Sequence, residues 1–198
     1  MTTVWILSNN TADFNTLSVR DERYGTFPRL DGAPELSTWV PQQVWYDPLV
    51  FRQGRALANL PAWSVHTVGD TLAKAVIQEL IGDHVEFLPL DFQAPVGDGS
   101  LYSPEALRSL SEKQYYVINV LTTLDCLDFD QSEFTYFEST GGIRSIRKRV
   151  FKPDCIGDTP IFKLPILNRV TTYVTDSFKQ LVEDNNLTGL EFRKVWEG

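Results

Sequence analysis

The chain has 198 residues, of which 42% are hydrophobic and 12% aromatic, and its 18 Lys and Arg against 26 Asp and Glu give a formal net charge of −8. This composition is typical of a globular protein rather than a disordered one, because a chain of this length buries enough apolar surface to fold without disulfides or metals. The acidic balance argues against a general nucleic-acid binder or a protein that adheres to anionic membranes, since both rely on an excess of Lys and Arg. It suits a protein with a basic partner.

The N-terminal residues show no basic leader, and the apolar run from Val4 to Leu7 is too short for a signal peptide or a spanning helix. We therefore expect a cytoplasmic protein. Cys126 and Cys155 are the only cysteines, and no Cys-x-x-Cys motif is present. Free and mostly buried thiols are expected, rather than a disulfide framework or a thiolate zinc site.

Runs of β-branched and aromatic residues bounded by turn residues predict a series of short strands. The run at 115–121 is almost continuously apolar, which predicts a central strand, whereas Pro89 favours an edge or a bulge for its own strand. The Gly-rich turn at 140–142 predicts a hairpin between two of the strands. In chain order the predicted strands are 2–8, 85–90, 115–121, 134–138, 143–151, 161–164, 170–174 and 190–196.

Apolar spacing predicts two main helices, one over 70–81 with Asp70 as its N-cap and one over 175–184 with a hydroxyl cap at Thr175. A short helix is predicted to start at Ser103, after a flexible loop at 97–100. Each main helix leads into a strand, and the two helix–strand units align at an offset of 105 residues. We predict an α+β fold with mixed or mainly antiparallel sheets, a few packing helices and two related units.

The segment at 11–61 carries five prolines, too closely spaced for a long helix or a central strand, so an irregular segment is predicted. Its large aromatic side chains either fill the core or anchor a partner, since Trp and Tyr are common at protein interfaces. The candidate partner-binding residues of this segment are Trp39, Trp45, Tyr46 and Asp47.

Four acids fall between Asp125 and Glu133. Asp side chains accept hydrogen bonds from nearby backbone N–H groups, so a structural turn is the first interpretation, with a cation site or a partner contact as alternatives. The spacing does not fit an EF-hand loop, and no metal or cofactor is assigned. Asp128, Asp130 and Glu133 are therefore a second set of candidate partner-binding residues.

Catalytic motifs are missing from the sequence. Neither a Gly-x-Ser-x-Gly elbow nor a glycine-rich phosphate loop occurs, and no arrangement of an acid with a Ser or Cys is recognisable near the two histidines, His66 and His84. The one basic cluster, at 144–149, alternates with apolar residues as an exposed or edge strand does, so nucleic-acid contact is not favoured.

The C-terminal half resembles the bacterial immunity-protein family eleven over about residues 85–196. The segments that carry the resemblance are YYVINVL at 115–121, DCLD at 125–128 followed by Ser132, IFKL at 161–164, and the helix from Thr175 leading to LTGLEF at 187–192. Members of this family are typically encoded beside polymorphic toxins of contact-dependent or type VI secretion systems.

The resemblance implies a single immunity-type domain over 1–198, with a possible division into an N-terminal part, 1–110, and a family-like part, 111–198. It also implies a non-catalytic protein that neutralises a cognate, possibly basic toxin by stoichiometric occlusion. Two alternatives stay open at this point: a small hydrolase that uses His66 or His84, and a non-catalytic adaptor module.

Overall fold

Two four-stranded sheets form the centre of the computed structural model, which describes residues 1–19, 30–46, 55, 57–63, 66–93, 113–167 and 171–198. The strand orders are β4-β5-β8-β6 and β11-β12-β1-β13. Smaller sheets of order β2-β3-β7 and β10-β9 accompany them. Among the described strands all pairings are antiparallel except that of β3 with β7, so the α+β fold with mainly antiparallel sheets is confirmed.

The strands are β1 (Thr3–Asn9), β2 (Leu17–Val19), β3 (Gln43–Tyr46), β4 (Ala62–Trp63), β5 (His66–Asp70), β6 (Val85–Pro89), β7 (Asp91–Phe92), β8 (Tyr115–Val120), β9 (Glu133–Tyr136), β10 (Ile143–Lys148), β11 (Ile161–Lys163), β12 (Thr172–Thr175) and β13 (Leu190–Glu197). The helices are α1 (Thr71–Ile81), α2 (Pro153–Ile156) and α3 (Asp176–Asp184), and a 3-10 turn (Gly82–His84) follows α1.

The two large sheets repeat one arrangement. In each, a strand–helix–strand unit straddles a central strand taken from elsewhere in the chain: β5-α1-β6 encloses β8, and β12-α3-β13 encloses β1. The register of the pairing with the central strand also repeats: residues of the two helix–strand units that are 105 positions apart pair with equivalent residues of β8 and β1. The matching pairs are Asp70–Tyr115 with Thr175–Val4, Phe87–Ile118 with Phe192–Leu7, and Val85–Val120 with Leu190–Asn9.

The exchange of central strands ties the two halves of the chain together. β1, from the N-terminus, lies between β12 and β13, while β8, from beyond residue 110, lies between β5 and β6. Each large sheet therefore holds strands from both sides of the possible boundary at residue 110. The central position predicted for 115–121 and the edge position predicted for the strand with Pro89 are both confirmed.

The core divides into three clusters. The middle cluster lies around the two longer helices and includes Ile77 of α1 and Phe178 of α3. The other two clusters each lie beneath one of the smaller sheets: one includes Val44 and Tyr46 of β3, and the other includes Ile146 of β10. Each large sheet therefore contributes side chains both to the helix cluster and to a cluster beneath a hairpin, as expected when successive side chains of a strand point to opposite faces.

The two helix N-caps differ. The Asp70 carboxylate accepts a 3.0 Å hydrogen bond from the Ala73 N–H, which confirms the predicted cap. Thr175 occupies the N-cap position of α3, but its side chain makes no capping hydrogen bond. Its hydroxyl donates instead to the Thr159 carbonyl at 3.1 Å. The predicted hydroxyl cap is wrong because this hydroxyl joins the helix start to the chain that precedes β11.

The expectation that the segment at 11–61 holds no central strand is also wrong, although its described residues are otherwise largely irregular. β3 lies between β2 and β7 and is therefore the central strand of its sheet. It begins two residues after Pro41, so the four residues of β3 retain their backbone N–H donors. The predicted loop at 97–100 and the helix predicted from Ser103 lie outside the described residues.

Candidate functional site

The β9–β10 hairpin carries the largest group of touching aromatic rings with exposed members in the described chain. Phe129 stacks on Phe134 with ring centres 5.3 Å apart and planes 20° from parallel. Phe134 in turn lies 6.3 Å from Tyr136. Phe129 is 46% exposed and Tyr136 is 56% exposed. We call these three residues the hairpin aromatic patch.

Strand geometry explains why this patch is both ordered and exposed. Phe134 is paired with Ile146, and Ile146 is buried in the cluster beneath the hairpin, with Phe134 packed against the same cluster. Tyr136 lies two residues further along the same face, paired with Ile143 at the turn end of the hairpin. The apolar face of the hairpin therefore extends beyond the core that it covers.

The acids before β9 form the turn that supports Phe129. The Asp128 carboxylate accepts hydrogen bonds from the Asp130 N–H at 3.0 Å and the Gln131 N–H at 3.1 Å, and the Gln131 side-chain amide donates at 2.8 Å. Desolvation alone would raise the pKa of Asp128, but the bonds from Gln131 and Asp130 outweigh it and lower the pKa. The ionised Asp128 side chain therefore stabilises a structural turn. Asp130 and Glu133 are exposed.

Basic side chains occupy the other arm of the hairpin. Arg144, Arg147 and Lys148 are exposed, and the register of the hairpin shifts at the first two of these positions. Arg149 is different, because its guanidinium donates to the Tyr173 hydroxyl at 3.2 Å and to the Ile146 carbonyl at 3.1 Å. Acidic side chains therefore lie before and at the start of β9, and basic side chains lie on β10.

The first candidate set, in the proline-rich segment, is largely part of the core. Tyr46 has no exposed surface, and its hydroxyl lies 3.0 Å from that of Tyr115. Trp39 is partly buried, and its indole donates to the Pro89 carbonyl at 2.7 Å. Trp45 is partly buried as well, and Asp47 lies outside the described residues. Tyr46 therefore presents no surface to a partner in this structure, and partner binding by this set stays a prediction.

The two candidate sets lie in different parts of the fold. Tyr46 and Trp39 belong to the cluster beneath β2 and β3, whereas the acids adjoin the cluster beneath β9 and β10. The exposed members of the hairpin aromatic patch, Phe129 and Tyr136, were not among the predicted site residues. Their sequence signal is the placement of Phe129 between two acids and the alternation of Phe134 and Tyr136 with polar residues.

The histidines sit in structural surroundings. The ring of His66 packs beside Trp63, with centres 5.5 Å apart. His84 shares a 2.8 Å hydrogen bond with the Thr122 hydroxyl. Across the described part of the chain, no three His, Cys, Asp or Glu side chains are grouped so that they could hold a metal ion. Within the same residues, no helix has the length and apolar character needed to cross a membrane.

Comparison with protein families identifies the chain. The model of the immunity protein family Imm11 matches residues 13–197, which is nearly the whole sequence. The chain belongs to the Imm11 immunity protein family. The Imm11 match extends through the proline-rich segment, which lies outside the resemblance at 85–196. No curated protein matches the chain at a significant level.

Membership in Imm11 carries a general functional meaning. It indicates immunity against a toxin, and it implies that the chain binds a cognate toxin in a non-catalytic role. An Imm11 protein therefore needs a surface that fits another protein more than it needs a pocket for chemistry.

Proposed function

We propose that this chain neutralises one cognate secreted bacterial toxin by stoichiometric direct binding that occludes the toxin, and that it acts in the cytoplasm without catalysis of its own. The single observation that carries the proposal is the Imm11 match over residues 13–197. A toxin delivered by a contact-dependent or type VI system fits such a role, because the protein that it meets must already be folded and available inside the recipient cell.

The architecture supports a binding role for the chain as one unit. Central strands are exchanged between the halves, so neither half keeps its sheet without the other. Pre-ordered surfaces bind with less loss of conformational freedom than surfaces that must fold on contact. We therefore propose a single domain over 1–198 that presents a rigid exterior to the toxin.

Charge supports a basic partner. The net charge of −8 produces a long-range field that attracts a basic toxin domain, and such steering raises the association rate more than it slows dissociation. We expect the association rate with a basic toxin to fall steeply as salt rises, while the dissociation rate changes little.

Protection and stoichiometry together test the proposal. The toxin encoded beside this chain is expressed with and without it, and cell survival is measured. The purified toxin is then titrated with the chain while its activity is followed. Occlusion predicts a linear loss of activity that ends near one molar equivalent. An excess of toxin inactivated by a trace of the chain would contradict occlusion and favour an enzyme.

A histidine variant distinguishes occlusion of the toxin from a histidine-dependent hydrolase. His66→Ala combined with His84→Ala removes both imidazoles that a hydrolase would use, and protection is expected to persist in this variant. Since His66 packs on Trp63 and His84 bonds Thr122, the thermal unfolding of the variant is measured first. Loss of protection in a variant that still folds and still binds toxin would refute the non-catalytic mechanism.

A further inference from the structure

The two smaller sheets occupy equivalent places in the fold. In chain order, β2 and β3 lie between β1, a central strand of one large sheet, and β4, an edge strand of the other large sheet. β9 and β10 likewise lie between the central strand β8 and the edge strand β11. Each smaller sheet also covers a core cluster on the side of its large sheet that faces away from the longer helices. One hairpin can therefore serve as an internal reference for the other.

The reference is the antiparallel pair of β2 and β3, whose inward-facing side chains are buried. Val44 and Tyr46 have no exposed surface, and Leu17 is 4% exposed. β7 adds a third strand beside β3, and its Phe92 ring lies 5.8 Å from the Tyr46 ring in an edge-on contact. The apolar face of this strand pair is therefore buried by the chain itself, in the core cluster that also holds Trp63 and Tyr115.

The β9–β10 hairpin has no such cover within the described residues. It consists of two strands, and Phe129 and Tyr136 remain about half exposed although both rings contact Phe134, Phe129 by stacking and Tyr136 at a tilted angle. Anchoring of Phe134 and Ile146 in the core fixes this stack in place before any partner arrives. Aromatic side chains are enriched at the centres of protein interfaces, and rigid ones lose little conformational freedom on binding.

Acidic residues are the sequence neighbours of Phe129 and Phe134. Asp128 and Asp130 flank Phe129 directly, and Glu133 begins the strand that carries Phe134. The turn holds Asp128 in place through its hydrogen bonds with Asp130 and Gln131. The basic residues Arg144, Arg147 and Lys148 lie on β10, the other arm of the hairpin. Lys148 pairs with Glu133, and the register of the two strands shifts at Arg144 and Arg147.

We propose that the hairpin aromatic patch is the docking surface for the toxin, and that the toxin presents an apolar pocket bordered by Lys or Arg side chains. Phe129 and Tyr136 enter the pocket, and Asp128 and Asp130 meet the basic border. This inference rests on the proposed function, because it names the surface by which the chain binds its toxin. It adds a partner chemistry that the family match does not specify.

The test compares patch variants with matched control variants. The patch variant is Phe129→Ala with Tyr136→Ala, and its control is Leu80→Ala on α1, where Leu80 is 63% exposed. Phe134 is left intact because it packs against the core. The charge variant is Asp130→Lys, and its control is Glu79→Lys, an exposed acid on α1 that gives the same change in net charge.

Binding to the toxin encoded beside the chain is measured by titration calorimetry and by association kinetics at two salt concentrations, with thermal unfolding as the check on folding. The patch variant is expected to bind at least about 30-fold more weakly, the size of one aromatic hot spot. Asp130→Lys is expected to slow association by about tenfold at low salt and by much less at high salt. The two α1 controls are expected to bind like the wild type.

Each result decides between distinct possibilities. If the wild type binds and both patch and charge variants bind equally well, the docking surface is wrong while the proposed function stands. Failure of the wild type to bind or protect overturns the proposed function itself. If the patch variant changes only the self-association of the chain, measured by sedimentation, the patch is an interface between copies and this inference is wrong.

Discussion

Gly189 lies directly against the backbone of Leu60. Its φ of +103° is a conformation that glycine alone adopts readily, and a Cβ at this position would overlap the Leu60 carbonyl oxygen. Next to it, the Leu60 N–H donates to the Thr188 carbonyl at 2.9 Å. This approach fastens the turn after α3 to the chain that enters β4, so it joins the two halves.

Gly189→Ala is expected to lower the free energy of unfolding by more than about 3 kcal/mol, because the strain of a positive φ adds to a steric overlap. Gly141→Ala is the control: Gly141 has a φ of +67°, but a Cβ there meets nothing within 4 Å. The control is expected to lose only about 1 to 2 kcal/mol. Urea unfolding measures both, and equal losses would show that the Leu60 contact contributes nothing.

The buried hydroxyl pair of Tyr46 and Tyr115 is expected to show energetic coupling. Burial first, and the neighbouring Tyr46 second, raise the pKa of Tyr115, so the Tyr115 hydroxyl stays protonated at ordinary pH. Tyr46→Phe or Tyr115→Phe removes one partner of the 3.0 Å bond and is expected to cost about 1 to 3 kcal/mol.

The double Phe variant is expected to cost clearly less than the two single losses together. Tyr136→Phe serves as the control, since its exposed hydroxyl is expected to contribute no more than about 0.5 kcal/mol. Chemical denaturation of the four proteins checks the cycle. Strict additivity would contradict a net contribution from the hydroxyl contact.

Glu86 holds the loop at 31–40 against the sheet. Its carboxylate accepts the Glu35 N–H at 2.5 Å, the Leu36 N–H at 3.2 Å and the Asn119 side-chain amide at 2.8 Å. Glu86→Gln replaces one of these acceptor oxygens with a donor and removes the charge, and it is expected to cost about 2 to 3 kcal/mol.

Glu86→Gln is also expected to speed amide hydrogen exchange at Glu35 and Leu36, because their N–H groups lose a carboxylate acceptor. Glu79→Gln, an exposed acid on α1, is the control and is expected to change neither stability nor exchange. Unchanged exchange at Glu35 and Leu36 in the Glu86 variant would mean that the carboxylate does not hold this loop.

The two cysteines are expected to react at very different rates. Cys155 is exposed, whereas Cys126 has no exposed surface, and burial raises the pKa of its thiol to about 12. A thiol reagent at pH 8 should therefore label one cysteine quickly, and Cys155→Ser should abolish this fast phase. Fast labelling that survives in the Cys155 variant would show that Cys126 is accessible.

The same thiol predicts a loss of stability at alkaline pH. The folded pKa of Cys126 lies above its ordinary value of 9.0, so its contribution is complete below about pH 9 and is lost as pH rises towards about 12. Between about pH 9 and pH 10 the slope due to Cys126 is at most about 1.4 kcal/mol per pH unit, and the raised pKa of Tyr115 adds a smaller slope of the same sign. Cys126→Ala should remove the slope due to Cys126, as urea unfolding at the two pH values would show.

Local patterns in the sequence were sufficient for several elements. The continuous apolar run at 115–121 predicted the central strand β8, and the rigid ring of Pro89 predicted the edge strand β6. Asp70 was identified as the cap of α1 because capping depends on residues three positions apart. These predictions succeeded because the interactions behind them lie within a few residues of one another.

Other features depended on distant parts of the chain. Thr175 has the side chain of a cap, yet a carbonyl at Thr159 takes its hydroxyl. The short strand β3 was missed because its stability comes from β2 and β7 rather than from its own sequence. Pairing of β1 with β12 and β13 joins residues more than 160 positions apart, which no local pattern could predict.

By itself, the sequence determined the acidic balance, the alternation of strands and helices, the offset between the two related units and the resemblance to an immunity family. Only the tertiary structure decided that Tyr46 is buried and Tyr136 is exposed, although both are tyrosines on short strands of hairpins. A period-two pattern fixes which side chains share a face, but the chain segment that covers that face comes from elsewhere in the sequence. The apolar face of β2 and β3 is buried against the chain's own core, and among the described residues the hairpin aromatic patch has no such cover.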